Sequence, residues 1–206
     1  MLFVVCPAVN CKGTVHQMIS AENISFSYGK NKILENISFR VEDGECLVIT
    51  GENGSGKSTL LSILAGVKKP STGTIEANGK IGLVPQGSSI FDDMTVKENL
   101  SFFAGLAGRK LTRIPFDLAR YKNVKASRLS GGYKKRLNVA CTLVTGPSIW
   151  LFDEPCANLD VRWKAEMIKL VRSCKQKGCT VLYVGHDPEE YESFYDKIIH
   201  IKTIEQ

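Results

Sequence analysis

Gly51-Glu52-Asn53-Gly54-Ser55-Gly56-Lys57-Ser58-Thr59 is the stretch on which the fold turns. It fits the spacing G-x-x-x-x-G-K-[ST], in which glycines let the backbone bend tightly around an anion. Gly51, Asn53, Gly54, Ser55, Gly56 and Thr59 are then the expected phosphate cradle, with successive N–H groups aimed at one ligand. Lys57 is long enough to reach the outer phosphates, and the Ser58 hydroxyl is a suitable oxygen for Mg²⁺. The flanks fit the motif. Cys46-Leu47-Val48-Ile49-Thr50 is a short apolar run of the kind found in buried parallel strands. Thr59-Leu60-Leu61-Ser62-Ile63-Leu64-Ala65 reads as a helix, whose N-terminal dipole adds to an anion site. A glycine-rich turn with no ligand would need neither flank.

Moving outward, 206 residues are enough for one sizeable core or two closely packed subdomains. The hydrophobic share of 43% is that of an ordinary soluble globule. A net charge of +6 is mild, and a phosphate-binding protein uses part of such an excess, so no nucleic acid is expected as a partner. Seven cysteines at irregular spacing, several in apolar runs, suit a reducing compartment better than a disulfide framework. Cys6, Cys11 and His16 do not complete a zinc site. No apolar run has the length of a membrane span, so any membrane part is expected from another chain. Residues 1–17 read as a disordered or weakly packed extension, and 18–206 as the folded domain.

Along that domain, Ile19 to Tyr28 and Ile33 to Val41 alternate as strands, joined by a turn at 29–32. Thr74 to Ala77 and Lys80 to Val84 are expected to form a hairpin about Asn78-Gly79, a strong hairpin signal. Thr95-Val96-Lys97-Glu98 is a capping box that opens a helix through Leu106. A second helical stretch is expected near 112–121 and a third from Tyr133 to Val144. Residues 87–146 therefore read as a helical insertion in an α/β core. Buried strands follow at 149–152 and 180–185. Between them lies a helix from Val161 to Lys177, with Ala165, Ile168 and Val171 inward. A last strand is expected at Lys197 to Lys202.

Further motifs stand in a fixed order: Gln86 after the strand 81–84, Leu129-Ser130-Gly131-Gly132, Asp153-Glu154 after an apolar strand, Ala157-Asn158-Leu159-Asp160, and His186 at a strand end. Together with the phosphate loop they closely resemble an ATP-binding cassette (ABC) domain over residues 18–203. The resemblance implies a P-loop NTPase core with an antiparallel β subdomain and a compact helical subdomain that carries the signature Leu129–Gly132. It implies Mg²⁺ held by Ser58, Asp153 and Gln86, Lys57 fixing the phosphates in the catalytic step, and Glu154 polarising the attacking water with help from His186. It implies adenine stacked on Tyr28, unless that ring is only a strand-end core residue. Ser130, Gly131 and Gly132 would meet the γ-phosphate of ATP on an opposite protomer, although Ser130 also suits a plain helix cap. Asp160 is equally a cap for the next helix. His16 and His200 are read as structural.

The chain departs from the family pattern at Tyr133, where the signature usually continues with Gln. Lys134-Lys135-Arg136 suits its position and reads equally well as a solvated face. The segments 73–86 and 86–130 are shorter than is common, so the cassette looks trimmed. The expected function is the ATP-hydrolysing subunit of an ABC transporter, with ATP and Mg²⁺ as cofactors. It would dimerise with itself or a relative on ATP binding. It would dock a separate transmembrane permease through the groove near Gln86 and the helices 95–121, and sit on the inner face of the cell membrane. Phe91, Phe102 and Phe103 are candidates for that contact, or simply the core of an amphipathic helix. The rival is a soluble ABC ATPase such as the iron–sulfur assembly type. No Asn-Lys-x-Asp motif favours a GTPase.

Overall fold

The computed structural model describes residues 18–204, so the extension 1–17 lies outside the described residues. Two strands, β1 (Met18–Tyr28) and β2 (Asn31–Val41), pair antiparallel across the tight turn at Gly29. A five-residue strand, β3 (Cys46–Thr50), then enters the centre of the molecule. The phosphate loop leads into α1 (Lys57–Leu64), which ends where Gly66 takes a left-handed φ of 72°. β4 (Thr72–Asn78) returns to β1 and completes a three-stranded antiparallel sheet in the order β2-β1-β4.

The expected hairpin about Asn78-Gly79 is not formed. β5 (Ile81–Val84) leaves β4 and joins a second, parallel sheet beside β6 (Ile149–Asp153). The tight turn favoured by Asn-Gly needs positive φ at both central residues. Here Gly79 has a φ of 149° and Asn78 is not in the positive region. A Cβ on Gly79 would lie 2.7 Å from the Ser148 Oγ, so the glycine serves a close crossing between sheets. Burial of Gly82 and Val84 against β6 outweighs the local turn preference.

The parallel sheet runs β5-β6-β7-β3-β8, with β7 at Thr180–Val184 and β8 at Lys197–His200. Its central strands are apolar throughout because both faces are covered. Cys46, Val48, Trp150, Phe152, Val181 and Tyr183 point to one face, against the helical side of the molecule. Leu47, Ile49, Ile149, Leu151, Leu182 and Val184 point to the other, against α1 and the antiparallel sheet. Alternation within each strand thus builds two cores from one sheet.

On the helical side, α2 (Val96–Leu106) begins with the full capping box formed by Thr95 and Glu98. The stretch 112–121 contains only a 3₁₀ turn at Leu118–Tyr121. Pro115 disfavours helical backbone at Ile114, and Phe116 and Asp117 both take positive φ, so an α-helix cannot run through. α3 (Gly131–Thr145) starts two residues earlier than Tyr133. α4 (Val161–Gln176) is capped by Asp160, whose carboxylate accepts from the Trp163 N–H at 2.9 Å. Its inward stripe is Trp163, Met167, Leu170, Val171 and Cys174, while Ala165 is exposed and Ile168 half-buried. Burying the large Trp163 rotates the helix away from the expected Ala165 face. The last strand stops at His200, and a short α5 (Pro188–Tyr191) lies between β7 and β8.

Candidate functional site

Three neighbouring parallel strands end at the same edge of the sheet, which is where open α/β sheets place their ligands. β3 delivers the phosphate loop, β6 delivers Asp153 and Glu154, and β7 delivers His186 through Gly185. The side chains expected to work together are brought together there.

The loop itself is held by backbone geometry. Gly54 and Gly56 have φ values of 83° and 98°, which glycine alone adopts without strain. At Gly51 a Cβ would meet the Ile201 carbonyl oxygen at 2.3 Å and the Ser55 Oγ at 2.8 Å. Lys57 is buried, and its ammonium donates to the carbonyls of Gly51 at 2.9 Å and Glu52 at 2.7 Å, bracing the loop from inside. Burial pulls its pKa below the ordinary lysine value, while Glu154 and Asp153 oppose that shift. The buried Ser55 Oγ has no hydrogen-bond partner among the described residues. A buried hydroxyl without a partner is what an incoming phosphate would satisfy.

Asp153 is buried at the end of β6 and accepts from the Ser58 hydroxyl at 3.0 Å. Burial raises its pKa, and the Ser58 and Gln86 hydrogen bonds work against that rise. Ser58 and Asp153 therefore present two hard oxygens side by side at the mouth of the loop, a donor set that fits Mg²⁺. The Gln86 side chain makes no hydrogen bond to either of them among the described residues. Its amide instead donates to Glu154 Oε2 at 2.8 Å. The other Glu154 oxygen lies 2.9 Å from His186 Nε2. Glu154 thus faces the site between an amide and an imidazole, and it does so with a φ of 45°. A left-handed glutamate costs about 1–2 kcal/mol and is the kind of strain that functional sites retain.

Tyr28, at the end of β1, is 48% exposed. The Lys68 ammonium stands 5.0 Å from its ring centroid. Hydrogen bonds from Lys68 and then Thr59 lower its phenol pKa, which places the ring beside the first turn of α1. His200 lies apart from this constellation, its Nδ1 3.2 Å from Thr50 Oγ1.

Ser130, Gly131 and Gly132 open α3 at exposed positions. Ser130 occupies the cap position, yet its hydroxyl makes no capping hydrogen bond, so the first-turn amides and the hydroxyl are both uncommitted. Tyr133 follows on the same helix. Its ring is flanked by the guanidinium carbons of Arg136 at 4.6 Å and Arg120 at 5.5 Å, and its hydroxyl accepts from Arg120. Arg136 also lies 4.3 Å from the Trp163 ring centroid.

The residue that sequence reasoning missed is Lys135. It points inward, its ammonium donating to the carbonyls of Pro85 at 3.3 Å and Gln86 at 3.1 Å. No spacing rule separates such a lysine from the basic residues on either side of it.

With this geometry in view, comparison with known proteins decides the family. The ABC transporter family model matches residues 34–157. The chain belongs to that family. It is 33% identical to an ABC transporter ATP-binding protein of Methanocaldococcus jannaschii, over 89% of this chain and 74% of that one. It is 32% identical to the linearmycin resistance ATP-binding protein LnrL of Bacillus subtilis, over 88% of this chain and 65% of that one. It is 35% identical to an Fe(3+) ions import ATP-binding protein of Fusobacterium nucleatum, over 89% and 55%. A solved ATP-binding subunit of an ABC transporter superposes with a TM-score of 0.83 at 23% identity, covering 90% of this chain and 88% of that one, which shows the fold. This ABC protein is an ATP-binding subunit and an ATPase by family. Among the described residues no helix is long and apolar enough to cross a membrane.

Proposed function

We propose that this ABC protein hydrolyses ATP at a site built from its own phosphate loop and the signature loop of a second cassette, and that hydrolysis powers a separate membrane subunit. The observation that carries the reading is the Glu154 carboxylate held between Gln86 and His186, beside Lys57, Ser58 and Asp153. Gly51, Asn53, Gly54, Ser55, Gly56 and Thr59 would cradle the phosphates, and Tyr28 would stack on the adenine. Ser58 and Asp153 would hold Mg²⁺, which screens the phosphate charge when bound. Gln86, placed by its backbone next to Asp153 and by its amide on Glu154, would serve both the ion and the water. Glu154 would accept a hydrogen bond from the attacking water, and His186 would keep that carboxylate aimed.

The uncommitted signature loop supports the dimer. Ser130, Gly131 and Gly132 form an anion-ready helix start that the chain's own phosphate loop does not use, so the γ-phosphate they meet would belong to a partner cassette, either a second copy or a relative. We take residues 18–206 as the cassette and about 87–146 as its helical part. The membrane partner would be a transmembrane permease, with the cassette on the inner face of the membrane. The test is Glu154→Gln: ATP binding retained and turnover lost supports the assignment, whereas wild-type turnover removes Glu154 from it. Recombination with a co-purified multi-span membrane protein should raise ATPase activity, and a purely soluble partner would favour the non-transport rival.

A further inference from the structure

α3 does two things. Its first turn carries the signature, and its second turn grips the chain segment that follows β5. Lys135 donates to the carbonyls of Pro85 and Gln86. Asn138, buried and one turn further, donates to the Gly87 carbonyl at 2.9 Å and accepts from the Ser89 N–H at 3.2 Å. Five consecutive residues, 85–89, are thus held at four of their backbones by two side chains of one helix. The Gln86 amide projects from that held segment onto Glu154. Burial lowers the Lys135 pKa, and the Asp153 charge opposes that shift.

We propose that Lys135 is a positioning residue for hydrolysis: by fixing the Gln86 backbone it fixes where the Gln86 amide holds Glu154, and it ties that placement to the helix carrying Ser130–Gly132. The inference rests on the Glu154 assignment above. Its consequence is directional. The signature of one protomer would read the partner's ATP, while Gln86 of that protomer serves its own. A rigid link from Ser130 through Lys135 to Gln86 therefore connects two different ATP sites. A helix-borne lysine on two adjacent carbonyls, one of them part-buried, carries displacement of α3 to the Gln86 backbone.

Full-length chain is assayed with Mg-ATP for wild type, K135M, K135R, Q86A, the K135M/Q86A double variant and E154Q, alongside melting temperature and binding of a fluorescent ATP analogue. K135M keeps the stem and removes the donors. Expected are a roughly 10-fold fall in kcat, analogue affinity within about twofold of wild type, and recovery of at least half the rate in K135R. Because Lys135 acts through Gln86, the double variant should be no slower than Q86A alone. Multiplying effects in the double variant, an unchanged kcat in K135M, or a fall in affinity that tracks a lower melting temperature would each overturn it. If K135M does not fold, the same comparison is made with K135Q. Turnover in E154Q equal to wild type would sink the catalytic reading itself. Loss in E154Q with no effect of K135M sinks only this inference.

Discussion

His186 Nε2 lies 2.9 Å from Glu154 Oε1, although the two residues leave different strands of the sheet. The contact forms because β6 and β7 are adjacent and parallel, with Asp153 paired in register to Val184. The strand ends therefore fix the pair before any ligand arrives. Replacing His186 with Ala frees Glu154 from one of its two holds. We expect kcat to fall by about 10²-fold with KM changed little, since proton-handling groups contribute about 10²–10⁴. Glu154→Gln should fall further still. Steady-state ATPase assays at saturating Mg-ATP measure both, and a large KM effect with normal kcat in His186→Ala would place the imidazole in binding instead.

Asp153 illustrates a cost held in the fold. Burial raises its folded-state pKa above the unfolded value. Between those two values the folded chain binds the additional proton, so stability falls as pH rises through that window and stays lower above it. Removing the charge should therefore stabilise the nucleotide-free protein in EDTA at neutral pH. Asp153→Asn is expected to raise the melting temperature, by about 2–4 °C for each kcal/mol regained in a chain of this size, while ATP hydrolysis is lost. The gap in melting temperature between the two proteins should shrink on acidification. A lower melting temperature for the variant at pH 7 would contradict the account.

How much of this was legible beforehand follows from how local each signal is. The strands 46–50, 149–152 and 180–185 are legible, to within a residue at one end, because a strand covered on both faces is an almost unbroken apolar run. The phosphate loop, Asp153, Glu154 and His186 were readable because each sits at a strand end in a fixed order. The Asn78-Gly79 turn misled because dipeptide preference says nothing about which sheet the next strand joins. Of the expected α4 stripe, Val171 is buried and Ile168 packs against the core, while Ala165 is exposed because Trp163, near the helix start, sets the rotation. Lys135 is not legible because a run of three basic residues reads as one solvated face, and only the third dimension shows that Lys135 reaches the 85–86 carbonyls while Arg136 packs between two rings.

Tyr133 stands where the family pattern usually has Gln, and its surroundings give it work of its own. Arg136 lies between the Tyr133 and Trp163 rings at 4.6 and 4.3 Å, with its Nε buried and unpaired. Tyr133→Gln removes one ring from that sandwich and the acceptor for Arg120. Cation–π contacts contribute about 0.5–2 kcal/mol, so a loss of roughly 1–2 kcal/mol in unfolding free energy is expected. Denaturant unfolding would measure it, with an unchanged m-value. Tyr133→Phe keeps the rings and should recover most of the loss. If Tyr133→Phe is as weak as Tyr133→Gln, the Arg120 hydrogen bond carries the effect and the stacking does not.

Phe91 and Phe102 pack edge to face with centroids 5.0 Å apart, and both stay exposed, at 44% and 41%. Phe103 completes the group and is half-buried. Their position is not left to a loose loop. The buried Asn99 side chain accepts from the Phe91 N–H at 2.8 Å and donates to the carbonyls of Phe91, Met94 and Thr95. A rigid, exposed aromatic pair beside the Gln86 segment is suited to a hydrophobic partner surface. Phe102→Ser should therefore leave the free cassette's ATPase rate within about twofold and its melting temperature within about 1–2 °C, while stimulation by the proposed membrane subunit is largely lost. The comparison is made by titrating the purified membrane subunit into each cassette. A lower melting temperature with undiminished stimulation would show that Phe102 belongs to the core of its helix and not to the contact.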